Sequence, residues 1–273
     1  MKVSSIALIS KEGHGEAREV AKDMAKNLLE ESMSVTCFPN LHLKGADHMA
    51  SLADLNGQKF DLIVTVSGDG TILRVIRALD YSIPFLCVNV GGRGILAEIK
   101  PDQTNIAIAK IRTGNFRLEK RIRLLATVES KAELAPSLNE ICVSRQSLTR
   151  TPTFTIDLGG SVFSQRMDGL MVTTPTGSTG HSYSYGSPFI EGNLNLFLLT
   201  PLGSIRGFPK IVRDDSPFRV MANYSLEVIV DGQETTNVEA NTYINFKRHE
   251  KDAVFVRFDV DSPFRQLRNL GFD

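Results

Sequence analysis

The stretch FDLIVTVSGDGTILRVIRA at residues 60–78 decides how the fold of this chain is interpreted. It begins with an apolar run rich in β-branched residues, which predicts a strand. The turn SGDGT at residues 67–71 follows, and Ile72, Leu73 and Ile76 then recur at helical spacing. Glycines let a backbone approach an anion, and a helix N-terminus offers unpaired N–H groups and a positive dipole end. The unit therefore predicts a phosphate-binding turn.

Asp69 is the unexpected residue in this turn. A carboxylate repels phosphate unless a metal ion or a reacting hydroxyl lies against it. Asp69 is therefore the first candidate for a catalytic residue. The turn by itself has a plainer explanation, because a short glycine connection between strand and helix is common and an isolated match of this length has low specificity.

The composition sets limits on the function of the chain. Its 273 residues suffice for two modest domains, and 31 Lys and Arg balance 31 Asp and Glu, so we expect neither nucleic acid nor a membrane as partner. The N-terminus lacks the pattern of a signal peptide, and no apolar stretch approaches the ~20 residues of a membrane span. The three cysteines have no zinc-site spacing, and Cys37 and Cys87 lie in strand-like runs. We therefore expect buried thiols in a reducing cytoplasm and no protein-bound metal.

The first 114 residues alternate between predicted strands and helices. In the longest helix, apolar side chains keep an unbroken i, i+3, i+4 spacing. Asp102 is a candidate helix cap and Gly114 a helix stop. The alternation predicts a doubly wound, Rossmann-like α/β domain with a parallel sheet over residues 1–114, with crevices at the carboxyl ends of the strands. The predicted strands are residues 3–9, 35–38, 60–66 and 83–90, and the predicted helices are residues 16–31, 50–55, 72–79 and 102–114.

After Phe116 the pattern changes to short strands separated by turns, and Gly159-Gly160 indicates a hairpin. Residues 115–260 are therefore predicted to form a mostly β domain, with at most one helix near residues 179–186. In the tail, residues 261–273, apolar side chains at helical spacing indicate packing back onto the first domain. The predicted strands are residues 118–129, 137–145, 151–158, 162–167, 170–174, 194–200, 219–231, 241–246 and 253–260.

A second stretch, DGLMVTTPTGSTGHS at residues 168–182, is dense in hydroxyls and glycines. Pro175 and Gly177 prevent an ordinary strand from continuing there. The stretch offers a carboxylate, several hydroxyls and exposed backbone N–H groups, a set that suits a polar, sugar-bearing ligand. The alternative is a solvated Ser/Thr loop, which explains poorly why so long a loop lies between apolar strands.

SGDGT, the pair NE at residues 139–140 and DGLMVTTPTGSTGHS together resemble the NAD kinase family, whose members phosphorylate the adenosine ribose 2′-hydroxyl of NAD to give NADP. The resemblance continues through VNVGGRGILAEI at residues 88–99, LNEICVSR at residues 138–145 and TPLGSIR at residues 200–206. The glycine turn is shared with lipid kinases and phosphofructokinases, whereas TPTGST is far more particular to NAD kinases. The resemblance implies the same two-domain plan, with the active site between the domains.

The resemblance implies a role for residues around the turn. Asp69 would face the ribose 2′-hydroxyl and be the catalytic residue; it would orient the hydroxyl and accept its proton late, because a carboxylate is a weak base for an alcohol. Arg74 would offer charge to the donor phosphate, although a solvated helix residue is an alternative. The turn itself would be shaped for phosphate by Gly68, Gly70 and Thr71.

The implied NAD-binding residues extend over both predicted domains. Asn139 and Glu140 would hold ribose hydroxyls, with an edge-strand charge as the alternative for Glu140. Arg166 and Asp168 would line the nicotinamide side, with a surface strand residue as the alternative for Arg166. The remaining implied contacts are Asp69, Gly70, Ile95, Thr176, Thr179, Gly180, His181, Ser182 and Ser184.

The sequence also departs from the family pattern. Ser67 replaces the first glycine of the turn, Ile95 replaces a phenylalanine that can stack on adenine, and Gly180-His181 replaces Ala-Tyr. The family's histidine after TP is missing from TPLGSIR. These changes leave the class intact and leave open the preference for NAD or NADH.

The expected partners are NAD and a phosphoryl donor. The donor is ATP or inorganic polyphosphate, a nucleotide donor arriving with Mg²⁺ or another divalent cation, and the family resemblance implies a homo-oligomer, a dimer or tetramer. Two alternatives remain. A lipid or sugar kinase shares the turn, and a lipid kinase would need an apolar acceptor pocket; a dinucleotide-binding regulator would lack catalysis, which the presence of Asp69 disfavours.

Overall fold

The computed structural model describes residues 2–129, 131, 133–258 and 270–271. The chain forms two compact units, one of Met1–Lys120 with Ala253–Asp273 and the other of Arg121–Asp252. Most of the predicted tail helix, including Phe264 and Leu267, lies outside the described residues.

The first unit contains a seven-stranded sheet of order β3-β2-β1-β4-β5-β18-β6. Strands β1 to β5 pair in parallel, and β18 pairs in parallel with β5. The order 3-2-1-4-5 is that of a doubly wound α/β sheet. The strands are β1 Ser5–Ser10, β2 Ser34–Phe38, β3 Asp47–His48, β4 Leu62–Ser67, β5 Pro84–Asn89, β6 Arg117–Arg121 and β18 Ala253–Arg257.

The helices of this unit cover the sheet with apolar faces. Helix α1 (Gly15–Glu30) buries Ala17, Met24 and Leu28, part of the apolar stripe that the sequence predicts. All six residues of β4 are buried, as expected of a central parallel strand. The remaining helices are α2 Asp69–Ala78, α3 Thr104–Thr113 and two 3₁₀ turns, Leu52–Gly57 and Pro101–Gln103.

Two helix predictions differ from the structure, one in the residue at which the helix begins and one in the type of helix. The helix predicted to be capped by Asp102 begins at Thr104, and Asp102 lies inside the preceding 3₁₀ turn. There the Lys100 N–H donates to Oε1 of Gln103 at 2.9 Å. The predicted stop at Gly114 is confirmed, because this glycine is left-handed with φ 69°. The segment predicted as a helix at residues 50–55 is a 3₁₀ turn.

The position of β18 differs from the predicted domain boundary. The apolar run at residues 253–260 is predicted as part of the second domain, yet Val254 pairs with Pro84 and Phe255 with Phe85 in the first sheet. Strand β6 also joins that sheet, beyond the predicted end at residue 114. The apolar pattern predicts a strand but does not identify its partner, because the partner is about 170 residues away in the chain.

The second unit consists of two sheets, with orders β10-β9-β14-β17-β7 and β13-β12-β11-β8-β15-β16. The described pairings in both are antiparallel. One apolar core joins the two, with Phe154, Val220 and Phe246 from the first and Val143 and Val172 from the second. The strands are β7 Leu124–Val128, β8 Glu140–Arg145, β9 Thr153–Asp157, β10 Val162–Arg166, β11 Gly169–Thr173, β12 Leu196–Leu202, β13 Ile211–Asp214, β14 Phe218–Ala222, β15 Leu226–Val230, β16 Glu234–Val238 and β17 Ile244–Arg248.

Several predicted strands differ in extent. The runs at residues 118–129 and 219–231 each divide into two strands that belong to different sheets or pairings. Strands β13 and β16 are missing from the sequence prediction, because their half-exposed, polar residues carry a weak apolar signal. The helical segment near residues 179–186 is confirmed as a 3₁₀ turn, Thr176–Thr179, followed by the short helix α4, His181–Ser184.

Candidate active site

The glycine turn, residues 67–71, connects β4 to α2 at the surface of the first unit. Gly68 caps the helix with extended backbone, and the Thr71 N–H donates to the Gly68 carbonyl at 3.1 Å. A Cβ built on Gly68 would meet nothing within 4 Å, so open space lies in front of this backbone. Ser67 is buried at the end of β4 and is not among the residues with positive φ, so serine here costs no backbone strain.

Asp69 is the first residue of α2, and its carboxylate is anchored at both oxygens. Oδ2 accepts a hydrogen bond from the Ile95 N–H and Oδ1 accepts one from the Leu96 N–H, each at 3.0 Å. Each carboxylate oxygen can accept a second hydrogen bond. The partly buried side chain is therefore held in one orientation while it keeps acceptor capacity for a ligand hydroxyl.

The loop that holds Asp69 depends on one glycine. Gly94 is left-handed with φ 63°, and a Cβ there would lie 2.3 Å from Nδ2 of Asn89. The same Nδ2 donates to the Gly92 carbonyl at 3.1 Å. Only glycine fits this position. The next residue, Ile95, anchors Asp69 through its N–H, and its side chain is partly buried.

Arg74 lies one turn into α2 and forms an ion pair with Glu12 of the β1–α1 loop. Nη2 of Arg74 lies 3.2 Å from Oε2 of Glu12. Both side chains are about half exposed, so the pair contributes little to stability. The predicted phosphate-binding charge is thus partly neutralised by a carboxylate that the sequence analysis did not identify.

In the second unit, the threonine loop, residues 174–180, packs on the start of β8. The Thr174 N–H donates to the Asn139 carbonyl at 2.8 Å, and a Cβ on Gly177 would lie 2.2 Å from that carbonyl oxygen. A Cβ on Gly180 would lie 3.5 Å from both Nδ2 of Asn139 and Oε2 of Glu140. The structure therefore brings the NE pair and the glycines of this loop together.

The hydroxyls of this segment differ from the expectation of a loop that presents them to a ligand. Oγ of Ser178 donates to the Pro175 carbonyl at 2.7 Å, and Oγ of Ser182 donates to the Gly177 carbonyl at 3.0 Å. Oγ1 of Thr179 donates to the Thr176 carbonyl at 3.2 Å. All three residues are buried, so these hydroxyls shape the loop, and the alternative of a solvated loop is wrong as well.

Among the predicted residues of this segment, Thr176 has a buried hydroxyl that no described residue engages, whereas His181 and Ser184 are exposed. Thr176 is buried, and its Oγ1 has no hydrogen-bond partner in the described part of the chain. His181 and Ser184 are exposed on α4, where the His181 ring lies edge-on to Tyr185 with centroids 5.4 Å apart.

Glu140 is the most strongly perturbed acid of the second unit. Its side chain is buried at the start of the central strand β8, so the alternative of an edge-strand charge is wrong. Burial, and secondly the negative charge of Asp231, raise the pKa of Glu140 to about 8. Its Oε2 has no hydrogen-bond partner among the described residues. A buried polar atom in this state is expected to meet a ligand or water.

Arg166 is the last residue of β10, and Asp168 immediately precedes β11. Arg166 is exposed on an edge strand, and its carbonyl accepts from the Ile205 N–H at 3.1 Å. Oδ1 of Asp168 pairs with Nε of Arg145 at 3.1 Å, and a Cβ on Gly203 would lie 2.3 Å from its Oδ2. The sequence analysis missed the Arg145 pairing.

Asp231 is a further missed carboxylate. It is buried, and Oδ1 accepts from the Asn139 N–H at 2.9 Å. The pair Asp231-Gly232 is a hairpin signal that agrees with the predicted strand end at residue 231, but it does not indicate that the carboxylate is buried. Among the described residues, no group of three or more His, Cys, Asp or Glu side chains is placed to hold a metal ion. No helix of the described ranges is long and apolar enough to cross a membrane.

An anchored carboxylate in a glycine turn at a helix N-terminus, and a buried carboxyl beside a tightly packed loop, agree with the predicted class, a kinase whose acceptor is a small molecule bearing hydroxyls. Residues 6–116 match the family model of the ATP-NAD kinase N-terminal domain, and residues 138–258 match that of the ATP-NAD kinase C-terminal domain. The chain belongs to the NAD kinase family. The predictions of the family, the two-part fold and the enzyme class are thereby confirmed.

Individual relatives agree with this assignment. The chain is 34% identical over 230 residues to an NAD kinase of Clostridium beijerinckii. The alignment covers 80% of this chain and 79% of the relative. It is 36% identical over 209 residues to an NAD kinase of Thermococcus kodakarensis, covering 73% and 74% of the two chains. The crystal structure of an Archaeoglobus fulgidus NAD kinase in complex with ATP superposes with a TM-score of 0.78 at 26% identity, covering 97% of this chain and 99% of that one. Yeast NADH kinase, solved with NADH, shares the fold, with a TM-score of 0.89 at 19% identity over 100% and 89% of the two chains.

Proposed function

We propose that this chain transfers a phosphoryl group from ATP or inorganic polyphosphate to the adenosine ribose 2′-hydroxyl of NAD, with Asp69 as the catalytic residue. The observation that carries the proposal is the Asp69 carboxylate, fixed at 3.0 Å by the Ile95 and Leu96 N–H groups at a helix N-terminus. Such fixation orients a hydroxyl without cost at the moment of reaction.

In the proposed reaction, the ribose oxygen forms a bond to the terminal phosphorus as the bond from that phosphorus to its leaving oxygen breaks. The hydroxyl proton passes late to Asp69 and from there to solvent. The glycine turn receives the transferring phosphate on the backbone around Gly68, Gly70 and Thr71. Arg74 contributes positive charge once it leaves Glu12.

The acceptor is held mainly by groups of the second unit. Asn139 and Glu140 bind ribose hydroxyls, and the unpartnered Oε2 of Glu140 and Oγ1 of Thr176 support this assignment. Arg166 and Asp168 line the nicotinamide side, and Ile95 of the first unit gives apolar contact to adenine. Further contacts are assigned to Thr179, Gly180, His181, Ser182 and Ser184, with Ser182 and Thr179 acting through their backbone because their hydroxyls are engaged.

The finer features of the proposal concern the donor, the cation and the assembly. ATP is supported by the ATP complex of the Archaeoglobus relative. Mg²⁺ or another divalent cation enters with the nucleotide and is bound mainly by phosphate oxygens and water, as this ion prefers. The enzyme works as a homo-oligomer, a dimer or a tetramer, in the cytoplasm. The three free, buried cysteines suit a reducing compartment.

The test is NADP formation by the purified chain, with ATP and polyphosphate compared as donors and NAD and NADH as acceptors. We expect NADP from NAD with ATP and Mg²⁺, and no labelled product from diacylglycerol or fructose 6-phosphate. Absence of NADP with every donor, or transfer of label to the lipid or sugar alone, contradicts the proposal.

A further inference from the structure

Asp231 lies at the turn between β15 and β16 with a left-handed backbone. Its φ is 48° and that of Gly232 is 65°, which is the pattern of a hairpin turn with two left-handed residues. Asparagine, aspartate and glycine are all favoured at such positions, so asparagine would serve the turn equally well. The turn by itself therefore does not need a carboxylate, and only 7% of Asp231 is exposed.

The buried carboxylate is directed at the residues that precede β8. Oδ1 accepts from Oγ of Ser137 at 2.6 Å, from the Asn139 N–H at 2.9 Å and from the Glu140 N–H at 3.3 Å. Oδ2 accepts from the Leu138 N–H at 3.2 Å. In return, the Asp231 N–H donates to the Glu140 carbonyl at 3.0 Å. One side chain thus binds three consecutive backbone N–H groups, those of residues 138–140, and the hydroxyl of Ser137.

This arrangement has an electrostatic cost. The negative charge of Asp231 is the second cause, after burial, of the raised pKa of Glu140. Cys142 follows two residues later on the same strand, and burial, with the charges of Glu140 and Glu227, raises its thiol pKa to about 12, so the thiol is neutral. The threonine loop packed against Glu140 contains only Thr, Pro, Gly and Ser. A second carboxylate beside a buried one is unfavourable, so the presence of Asp231 at this position indicates another use.

We propose that Asp231 is a positioning residue of the acceptor site, which holds residues 137–140 so that Asn139 and Glu140 are directed at the dinucleotide. The inference rests on the proposed function, because it takes these two side chains as NAD ligands. Burial, with a smaller contribution from the charge of Asp231, also keeps Glu140 protonated near neutral pH. A protonated carboxyl can donate a hydrogen bond to one ribose oxygen and accept one from another. Asp231 itself does not contact NAD.

The test compares Asp231→Asn with Asp61→Asn in steady-state kinetics. Asparagine suits the left-handed turn and keeps one oxygen but loses the charge. We expect the KM for NAD to rise about tenfold, with a smaller change in kcat. Asp61 is the matched control, because it accepts from Oγ and N–H of Ser4 and from the N–H of Ser5 at 2.8 to 3.0 Å, in the first unit. Asp61→Asn should leave the KM unchanged.

A pH profile separates positioning from general destabilisation. In the unchanged chain, NAD affinity should fall as Glu140 ionises with rising pH near 8. In Asp231→Asn the midpoint should move to lower pH, because removal of a neighbouring negative charge lowers the pKa of Glu140. An unchanged KM and an unchanged midpoint overturn the proposal.

Ser137→Ala provides a second variant if Asp231→Asn does not fold. It removes only the 2.6 Å hydrogen bond and keeps the charge, so we expect a smaller rise in KM for NAD. An unaltered KM in a folded Ser137→Ala protein overturns the proposal in that case. Glu140→Gln distinguishes a failure of the proposed acceptor site from a failure of the role proposed for Asp231. If it leaves NAD affinity unchanged, the assignment of the acceptor site fails, whereas an effect of Glu140→Gln without one of Asp231→Asn removes only the role of Asp231.

Discussion

The glycine turn and the threonine loop have similar compositions but are built in opposite ways. In the first, the space around Gly68 is open, and a carboxylate is held ready by two backbone N–H groups. In the second, Gly177 lies against the Asn139 carbonyl and the hydroxyls bond to the loop itself. Glycine leaves room for a ligand in one case and for the protein in the other. The same residue types therefore predict a site in both places without predicting which atoms face the ligand.

The largest expected effect is at Asp69. Asp69→Asn should lower kcat for NADP formation about 10³-fold, because an amide cannot accept the hydroxyl proton. NAD binding, measured by calorimetry, should persist. Asp54→Asn is the matched control, since Asp54 also accepts from two backbone N–H groups, those of Ala50 and Ser51, at 2.8 and 3.0 Å. It should retain turnover, and an equal loss in both variants would contradict a chemical role for Asp69.

Gly177→Ala and Gly68→Ala test the steric difference between the two segments directly. The first places a Cβ 2.2 Å from a carbonyl oxygen and should cost at least about 2 kcal/mol of unfolding free energy. The second should cost at most about 1 kcal/mol, the range for alanine at a helix cap, while raising the KM for ATP. Urea unfolding and initial rates measure both quantities. Equal destabilisation by the two substitutions would contradict the difference in crowding between Gly177 and Gly68.

Glu140→Gln should change the pH dependence of stability. Because the pKa of Glu140 is raised from 4.5 to about 8, the folded state binds its proton more tightly than the unfolded state, and stability falls as pH rises between these values. The variant should therefore be more stable than the unchanged chain at high pH, by a difference that grows as pH rises from 4.5 to about 8. The difference should vanish near the ordinary Glu pKa. Thermal unfolding at several pH values tests this, and a pH-independent difference contradicts it.

The smallest expected effect is at Glu12. Glu12→Gln releases Arg74 from its 3.2 Å ion pair, so we expect the KM for ATP to fall about twofold with stability nearly unchanged. Glu19→Gln removes the exposed 2.9 Å pair with Lys22 on α1 and serves as the control. A rise in the KM for ATP on Glu12→Gln would indicate that Glu12 itself assists the donor.

The accuracy of the sequence prediction follows the range of the interactions involved. The α1 helix, the strand before Asp69 and the Gly114 stop are local features, so periodicity and turn chemistry predicted them. The prediction that Asp102 caps a helix was wrong, because residues 101–103 form a 3₁₀ turn in which the Lys100 N–H donates to the side chain of Gln103. Strand β18 was predicted as a strand but assigned to the second domain, because its partner β5 is distant in the chain.

The sequence by itself determined the family, the order of most strands and helices, and the residue types that carry the chemistry, because motifs and periodicity depend on neighbours in the chain. Only the tertiary structure decided which atoms are engaged: the anchoring of Asp69 by Ile95 and Leu96, the internal bonding of the threonine loop, and the contact of Asp231 with Asn139, 92 residues away. Burial and hydrogen bonding bring together groups that are remote in sequence, and these set the pKa of Glu140 and the direction of each side chain.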